Sequence, residues 1–226
     1  QDRILIIAAH PDDEILGCGG FLSKYSNQVE ISVVFIAEGD SCRFDNPELT
    51  PLILKKIHHR EECAKKALGL FNITDISFNK LPCGRLDKVA IIDINKIIEK
   101  KILSFKPTII FSHYSHDINN DHRIVSRSVE MCTRPVNEFN ISTFSFEVLS
   151  STEWNLEAPF KPNTFVQLSE EDVKNKIDAI KIYDSEIRKF PHSRSIDGIK
   201  YLSRYRGMQV GVNYAEAFYA NRIYIK

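Results

Sequence analysis

No C-x-x-C pair occurs among the five cysteines, at positions 18, 42, 63, 83 and 132. Their odd number and irregular spacing argue against a disulfide framework or a structural zinc knot, and for reduced thiols in a cytoplasmic protein. No apolar run approaches the roughly 20 residues that span a bilayer. The stretch Arg3–Ala9 is apolar but short, and it runs straight into His10–Glu14, so it reads as a strand and not as a signal peptide. The first residue is Gln and not Met, which leaves room for a trimmed upstream segment, an export signal included. An excess of either charge is missing too, because 30 Lys and Arg balance 30 Asp and Glu. That balance removes the electrostatic case for nucleic acid or an anionic membrane as partner. Repeats, low-complexity stretches and long linkers are also absent. What is present is a 226-residue chain, 43% hydrophobic and 27% charged, able to bury a real core as one domain spanning residues 1–226.

Three continuous apolar runs rich in β-branched residues, Ile4–Ala9, Ile31–Ala37 and Thr108–Ser112, read as strands buried on both faces. Amphipathic helical patterns lie between them at Ile53–Leu70, closing near Gly69, and at Ala90–Leu103, ahead of Pro107. Strands alternating with such helices predict an α/β fold, a mostly parallel sheet covered on both faces. Beyond residue 140 the pattern loosens. Ser142–Leu149 and Asn163–Leu168 look like strands, and Ser169 with Asp172 is an N-cap signature for a helix to about Arg188. Lys189–Ser195 holds a Pro-His turn, and Ile196–Arg204 reads as a last short helix. The aromatic-rich tail Tyr201–Phe218 suits core packing, a lid over a sugar ring or a subunit interface, and a homo-oligomer is among the arrangements it admits.

The first strand ends in Ala9-His10-Pro11-Asp12-Asp13-Glu14, with Gly17-Cys18-Gly19-Gly20 behind it. One His and three carboxylates thus stand at a strand's carboxyl end, where α/β sheets form their ligand crevice. Catalytic zinc takes imidazole and carboxylate from three protein ligands and keeps an open position. His10 and Asp13 suit two of those places, leaving Asp12 free beside the metal. The bland alternative is a turn in which Asp12 and Asp13 merely cap the next helix. A second cluster, His113 to His122, follows Thr108–Ser112 and packs three His and two Asp into ten positions ahead of a helix near Arg123. His122 is its natural third ligand, and Asp121 is placed to orient an imidazole.

A-H-P-D-D-E, followed by N-D-H-R (Asn120–Arg123) after Asp117-x-Asn119, resembles the PIG-L (LmbE-like) family of N-acetylglucosaminyl deacetylases. Glu38–Arg43, Arg60-Glu61-Glu62, Pro191–Ser195, Arg204–Gly207 and Val212–Phe218 extend the likeness toward its bacterial members across nearly the whole chain. The resemblance implies a Rossmann-like three-layer sandwich, zinc on His10, Asp13 and His122, and Asp12 as general base. It implies a small-molecule substrate, an N-acetylated amino sugar or its conjugate, cleaved to acetate and free amine. Several members carry a His where this chain has Asn119, three residues before the distal ligand. Oxyanion stabilisation then falls to Asn119 or to another His, with His113, His116 and His192 as candidates and His192 preferred; Asp12 or His192 would protonate the departing amine. The family often carries a substrate-contacting Arg at the position of Arg60, and Arg43 and Arg206 are further candidates. A His₂-Asp set also accepts iron(II) or another divalent ion.

Three rival readings remain open. The site suits an amidohydrolase for another acylated amine, such as a thiol-sugar precursor or a glycopeptide. A dinucleotide-binding oxidoreductase is weak, because the G-x-G-x-x-G spacing fails at Leu22 and the preceding carboxylates would repel a pyrophosphate. A non-catalytic metal- or sugar-binding protein would have no use for the spare Asp12.

Overall fold

The computed structural model describes residues 2–45, 48–135 and 140–225. The elements run β1 (Arg3–Ala8), α1 (Asp13–Tyr25), β2 (Glu30–Ala37), α2 (Pro51–Gly69), β3 (Asp75–Leu81), α3 (Ile91–Phe105), β4 (Ile109–His113) and α4 (Asn120–Cys132). They continue as β5 (Ser142–Phe146), β6 (Thr164–Gln167), α5 (Glu170–Lys181), α6 (Ile196–Met208) and β7 (Ala215–Arg222). One seven-stranded sheet of order β3-β2-β1-β4-β5-β7-β6 results. β1 to β5 pair in parallel, while β7 runs antiparallel to both β5 and β6.

Strand alternation divides the core into two layers. Ile4, Ile6 and Ala8 face one side with Ile15, Leu22, Ala64, Leu68, Val173 and Ile177, so α1, α2 and α5 cover that face. Leu5, Ile7 and Ala9 face the other, against Ile94, Ile98, Val125 and Val129 of α3 and α4. Both faces of β1 are therefore dry, which is why its sequence is an unbroken apolar run. This is the expected α/β sandwich.

Two strands escape a search for apolar runs. β3 is an edge strand whose residues are half-buried, so DISFNKL carries too little apolar signal. β7 takes only the end of the aromatic tail, Ala215–Phe218, into the sheet, while the first part of that tail is helix α6 with Tyr201 and Tyr205 exposed. Glu216 of β7 accepts hydrogen bonds from the backbone N–H of Gly20 and Phe21 and an ion pair from buried Lys176 at 2.6 Å. α1, α5 and β7 are thereby tied together. The glycines of α1 serve packing: a Cβ on Gly17 would come within 2.3 Å of the Phe146 ring, and one on Gly20 within 2.4 Å of Leu168. Among the described residues, no helix is long and apolar enough to cross a membrane.

The expected helix to Arg188 stops at Lys181. Local turns at Tyr183 and Glu186 replace it, with Tyr183 N–H bonded to Ile180 and Glu186 N–H to Tyr183. No Gly or Pro marks that stop. The side chains of Tyr183 and Glu186 are instead drawn into buried polar contacts beneath β1's carboxyl end.

Candidate functional site

Strand order reverses between β1 and β4, the adjacent strands from which the chain winds outward in both directions. Their carboxyl ends flank the crevice where such sheets take ligands. Both polar clusters of the sequence emerge there. His10, Asp13 and His122 converge, each offering a ligand atom within 4.8 Å of the others, and all three are buried. Asp13 Oδ2 lies 3.4 Å from His10 Nδ1 and 3.3 Å from His122 Nε2.

Each imidazole is held from behind by a carboxylate. Asp121 accepts from His10 Nε2 at 2.9 Å, as the sequence suggested. Asp121 is fixed in turn by the backbone N–H of Gly84 at 2.6 Å and of Leu86 at 3.1 Å. Asp117, which sequence reasoning left without a role, sits 3.3 Å from His122 Nδ1, off the line of a good hydrogen bond but within charge range. It is anchored by the hydroxyls of Ser151 and Thr152 and by the Asn119 N–H. A carboxylate behind a ligating imidazole is the usual support of a metal centre.

The electrostatics fit a cation. Burial opposes charge on His10, but Asp121 and Asp13 raise its pKa to about 9. For His122, Asp13 and Asp117 likewise overcome burial and push it to about 10. The carboxylates thus demand positive charge, which protons or one divalent cation can supply, and metal and protons compete for these same nitrogens. The donor set is compatible with zinc and other divalent ions.

Asp12 stands at the N-cap position of α1 with φ 123°, yet its side chain makes no cap hydrogen bond. The capped-turn alternative therefore fails for this residue. Its backbone occupies a region costly to a residue with a Cβ. Glu14 stabilises it by accepting the Asp12 N–H at 2.9 Å, and the hydroxyl of buried Tyr183 donates to Glu14 in turn. The Asp12 carboxylate, 1% exposed, meets Arg60 at 3.0 Å and Arg194 at 3.1 Å. Burial raises its pKa to about 6 despite the two guanidiniums.

Arg60, weighed as a substrate contact or a salt-bridge residue, makes buried ion pairs here. It is 5% exposed, and its nitrogens are engaged by the Pro11 carbonyl, Asp12 and Glu186. It braces the Asp12 turn, and it also lines the cavity beside Arg43. Arg43 is half-exposed, and its Nη2 donates to both carboxylate oxygens of Glu186, at 2.8 and 2.9 Å, beside a cavity of about 400 Å³ that its side chain lines with Lys56 and His59. The lining of that cavity includes neither Asp12 nor the three converging residues. Arg206, also weighed as a contact, is buried against Glu147.

His192 is not brought into the cluster. It is exposed, and its Nδ1 accepts from the Arg194 N–H at 3.1 Å. From that turn it is Arg194 that reaches Asp12. His116 is exposed and bonded to Ser115. His113 is buried and stacked 3.9 Å from His122, and its Nε2 accepts the Ala9 N–H at 2.8 Å. Burial drives its pKa down to about 3, so the ring is neutral and structural. Asn119 caps α4 by accepting the Asp121 N–H through Oδ1 at 2.9 Å. Glu186, Tyr183, Arg194 and Asp117 were missed as site residues. Two of them had a signal: Arg194 its place in the Pro191–Ser195 motif, and Asp117 its place in Asp117-x-Asn119 within the His113–His122 cluster.

A family model described as PIG-L, GlcNAc-PI de-N-acetylase, matches residues 5–133. Among solved structures, the chain is similar to the N,N'-diacetylchitobiose deacetylase of Pyrococcus horikoshii, at TM-score 0.76 and 17% identity over 97% of this chain and 83% of that one. It is similar to conserved protein TT1542 of Thermus thermophilus, at TM-score 0.75 and 21% identity over 100% and 98%. GalB, the 4-carboxy-2-hydroxymuconate hydratase of Pseudomonas putida, matches at TM-score 0.75 and 18% identity over 100% and 98%. Identities this low establish a shared fold, and that fold carries more than one reaction.

Proposed function

The chain belongs to the PIG-L family, and from that premise we infer that it is a metal-dependent deacetylase of an N-acetylated amino sugar or its conjugate, with zinc on His10, Asp13 and His122. The observation that carries this reading is a spare buried carboxylate, Asp12, adjoining a three-donor set that favours a cation. When bound, the cation would acidify water and polarise the acetamide carbonyl.

The protein's own groups do the rest. Asp121 and Asp117 fix the two imidazoles so that Asp13 and both rings face one point. Asp12, basic enough at about 6 and held by Arg60 and Arg194, takes the proton of the attacking water and returns it to the departing amine. The Asn119 amide donates to the developing oxyanion, a contribution of about 3 kcal/mol where one such donor acts. With His192 remote from the ligands' contacts, Asp12 serves as both base and acid.

The test is acetate release from free, nucleotide-linked and lipid-linked N-acetylglucosamine, with the metal content measured in parallel. Asp12→Asn should retain metal and lose turnover by about 10²–10⁴-fold. His122→Ala should lose the metal as well. Bound zinc with no acetate released from any acetamide would defeat the reading in favour of a binding protein or of a different reaction, such as hydration of a double bond.

A further inference from the structure

Cys42 and Cys83 lie 41 residues apart, yet their sulfurs are 3.1 Å from each other. Cys42 sits on the short 3-10 turn Ser41–Arg43 after β2, and Cys83 on the loop after β3. Glu38 clamps the two loops together. It accepts from the N–H groups of Asp40, Ser41 and Cys83, and its own N–H bonds the Leu81 carbonyl. At Gly84 the chain has φ 69°, and a Cβ there would come within 2.9 Å of Cys42 Cβ, so the loops are pressed into contact. Both cysteines are free thiols, Cys42 exposed and Cys83 buried. Among the described residues no other two cysteine sulfurs touch.

We propose that this pair is an oxidative modification site, in which Cys42 and Cys83 close a reversible disulfide by exchange with a low-molecular-weight disulfide. The sulfurs need to approach by about 1 Å to reach the bonding distance of about 2.05 Å. Cys42, the exposed thiol, attacks one sulfur of the reagent and releases one thiolate. The buried Cys83 sulfur then attacks Cys42, the reagent's second sulfur departs, and the Cys83 proton leaves on the departing thiol. Two protein thiols are oxidised and one reagent disulfide is reduced to two thiols. A hydrogen bond from Cys83, aided by His10 and Arg43, lowers the Cys42 thiol to about 6 against burial, which suits the attacking role.

The loop that carries Cys83 also carries the Gly84 and Leu86 N–H groups that hold Asp121 against His10. Cys83 itself stands within ligand-atom range of His10 and Asp121. Drawing Cys83 toward Cys42 pulls on that support, so the oxidised protein should hold a divalent cation about tenfold more weakly.

The experiment equilibrates the protein in glutathione buffers of graded redox ratio, traps thiols with N-ethylmaleimide and maps peptides by mass spectrometry. The expected product is a Cys42–Cys83 cross-link that dithiothreitol reverses, with Cys18, Cys63 and Cys132 alkylated. Cys42→Ser, at an exposed position, should fold and form no cross-link. Competition with a chromophoric zinc chelator then compares the two redox states. A glutathione adduct persisting on Cys42, or no oxidation at the most oxidising ratio, would overturn the site. Equal zinc affinity in both states would overturn its coupling to the cluster. Neither readout depends on deacetylation.

Discussion

Asp117 is the residue whose role is most sharply testable. It lies a few places before α4 and binds no candidate ligand through its backbone, yet its carboxylate is the partner of His122 Nδ1. Burial opposes its charge, but His122 and the Ser151 and Thr152 hydroxyls hold its pKa down to about 2. Asp117→Asn keeps the shape and removes the charge. Metal affinity should fall by about 10–100-fold while the protein stays folded, as measured by chelator competition beside circular dichroism. Unchanged affinity would mean that the ring is fixed by its stack on His113 alone. Asp12 shows the same logic from the other side, since a non-glycine residue at φ 123° persists only because Glu14, Arg60 and Arg194 hold it.

At the scale of elements, α1 is the part whose position everything else serves. It carries Asp13 at its first turn and packs its glycines against Phe146 and Leu168. The buried Lys176–Glu216 pair joins it to α5 and β7, with Lys176 also donating to the Leu16 carbonyl at 2.7 Å. Lys176→Met would strand the Glu216 charge in the interior. It should cost about 3–5 kcal/mol in urea unfolding, and a loss below about 1 kcal/mol would show that water reaches the pair. Gly17→Ala should cost about 1–3 kcal/mol through the Phe146 ring, with less acetate released if α1 shifts at its first turn.

Across the whole molecule, Glu186 gathers Arg43, Arg60 and Arg194 from three separate elements into one charged knot under the crevice. Burial would raise its pKa, but Arg60 and Arg43 bring it from 4.5 to about 2. A depressed carboxyl stabilises the fold fully above its unfolded value, and that contribution is lost as pH falls from about 4.5 toward 2. Glu186→Gln should therefore be less stable at neutral pH but show a shallower acid slope, by at most about 1.4 kcal/mol per pH unit. Acid titrations of thermal stability for the two proteins would read this directly. Parallel curves would remove Glu186 from the acid response.

What residue order alone determined is whatever local periodicity and short motifs encode. β1, β2 and β4 are legible as apolar runs because both their faces are buried, and the helices between them by their spacing. The two polar clusters are legible because a parallel sheet puts its strand ends on one edge, so His10, Asp13, His122 and Asp121 could be grouped before any coordinates. Tertiary structure alone decided which partners those groups meet. His113 and Arg60 look from sequence like functional candidates, but packing turns one onto the Ala9 N–H and the other under Asp12. Glu186, Tyr183 and Arg194 reach the site from more than a hundred residues away, through contacts that leave no spacing pattern behind. The physical reason is range: hydrophobic period reports which face of an element is dry, whereas a buried charge finds its partner only once the sheet order has placed distant loops together.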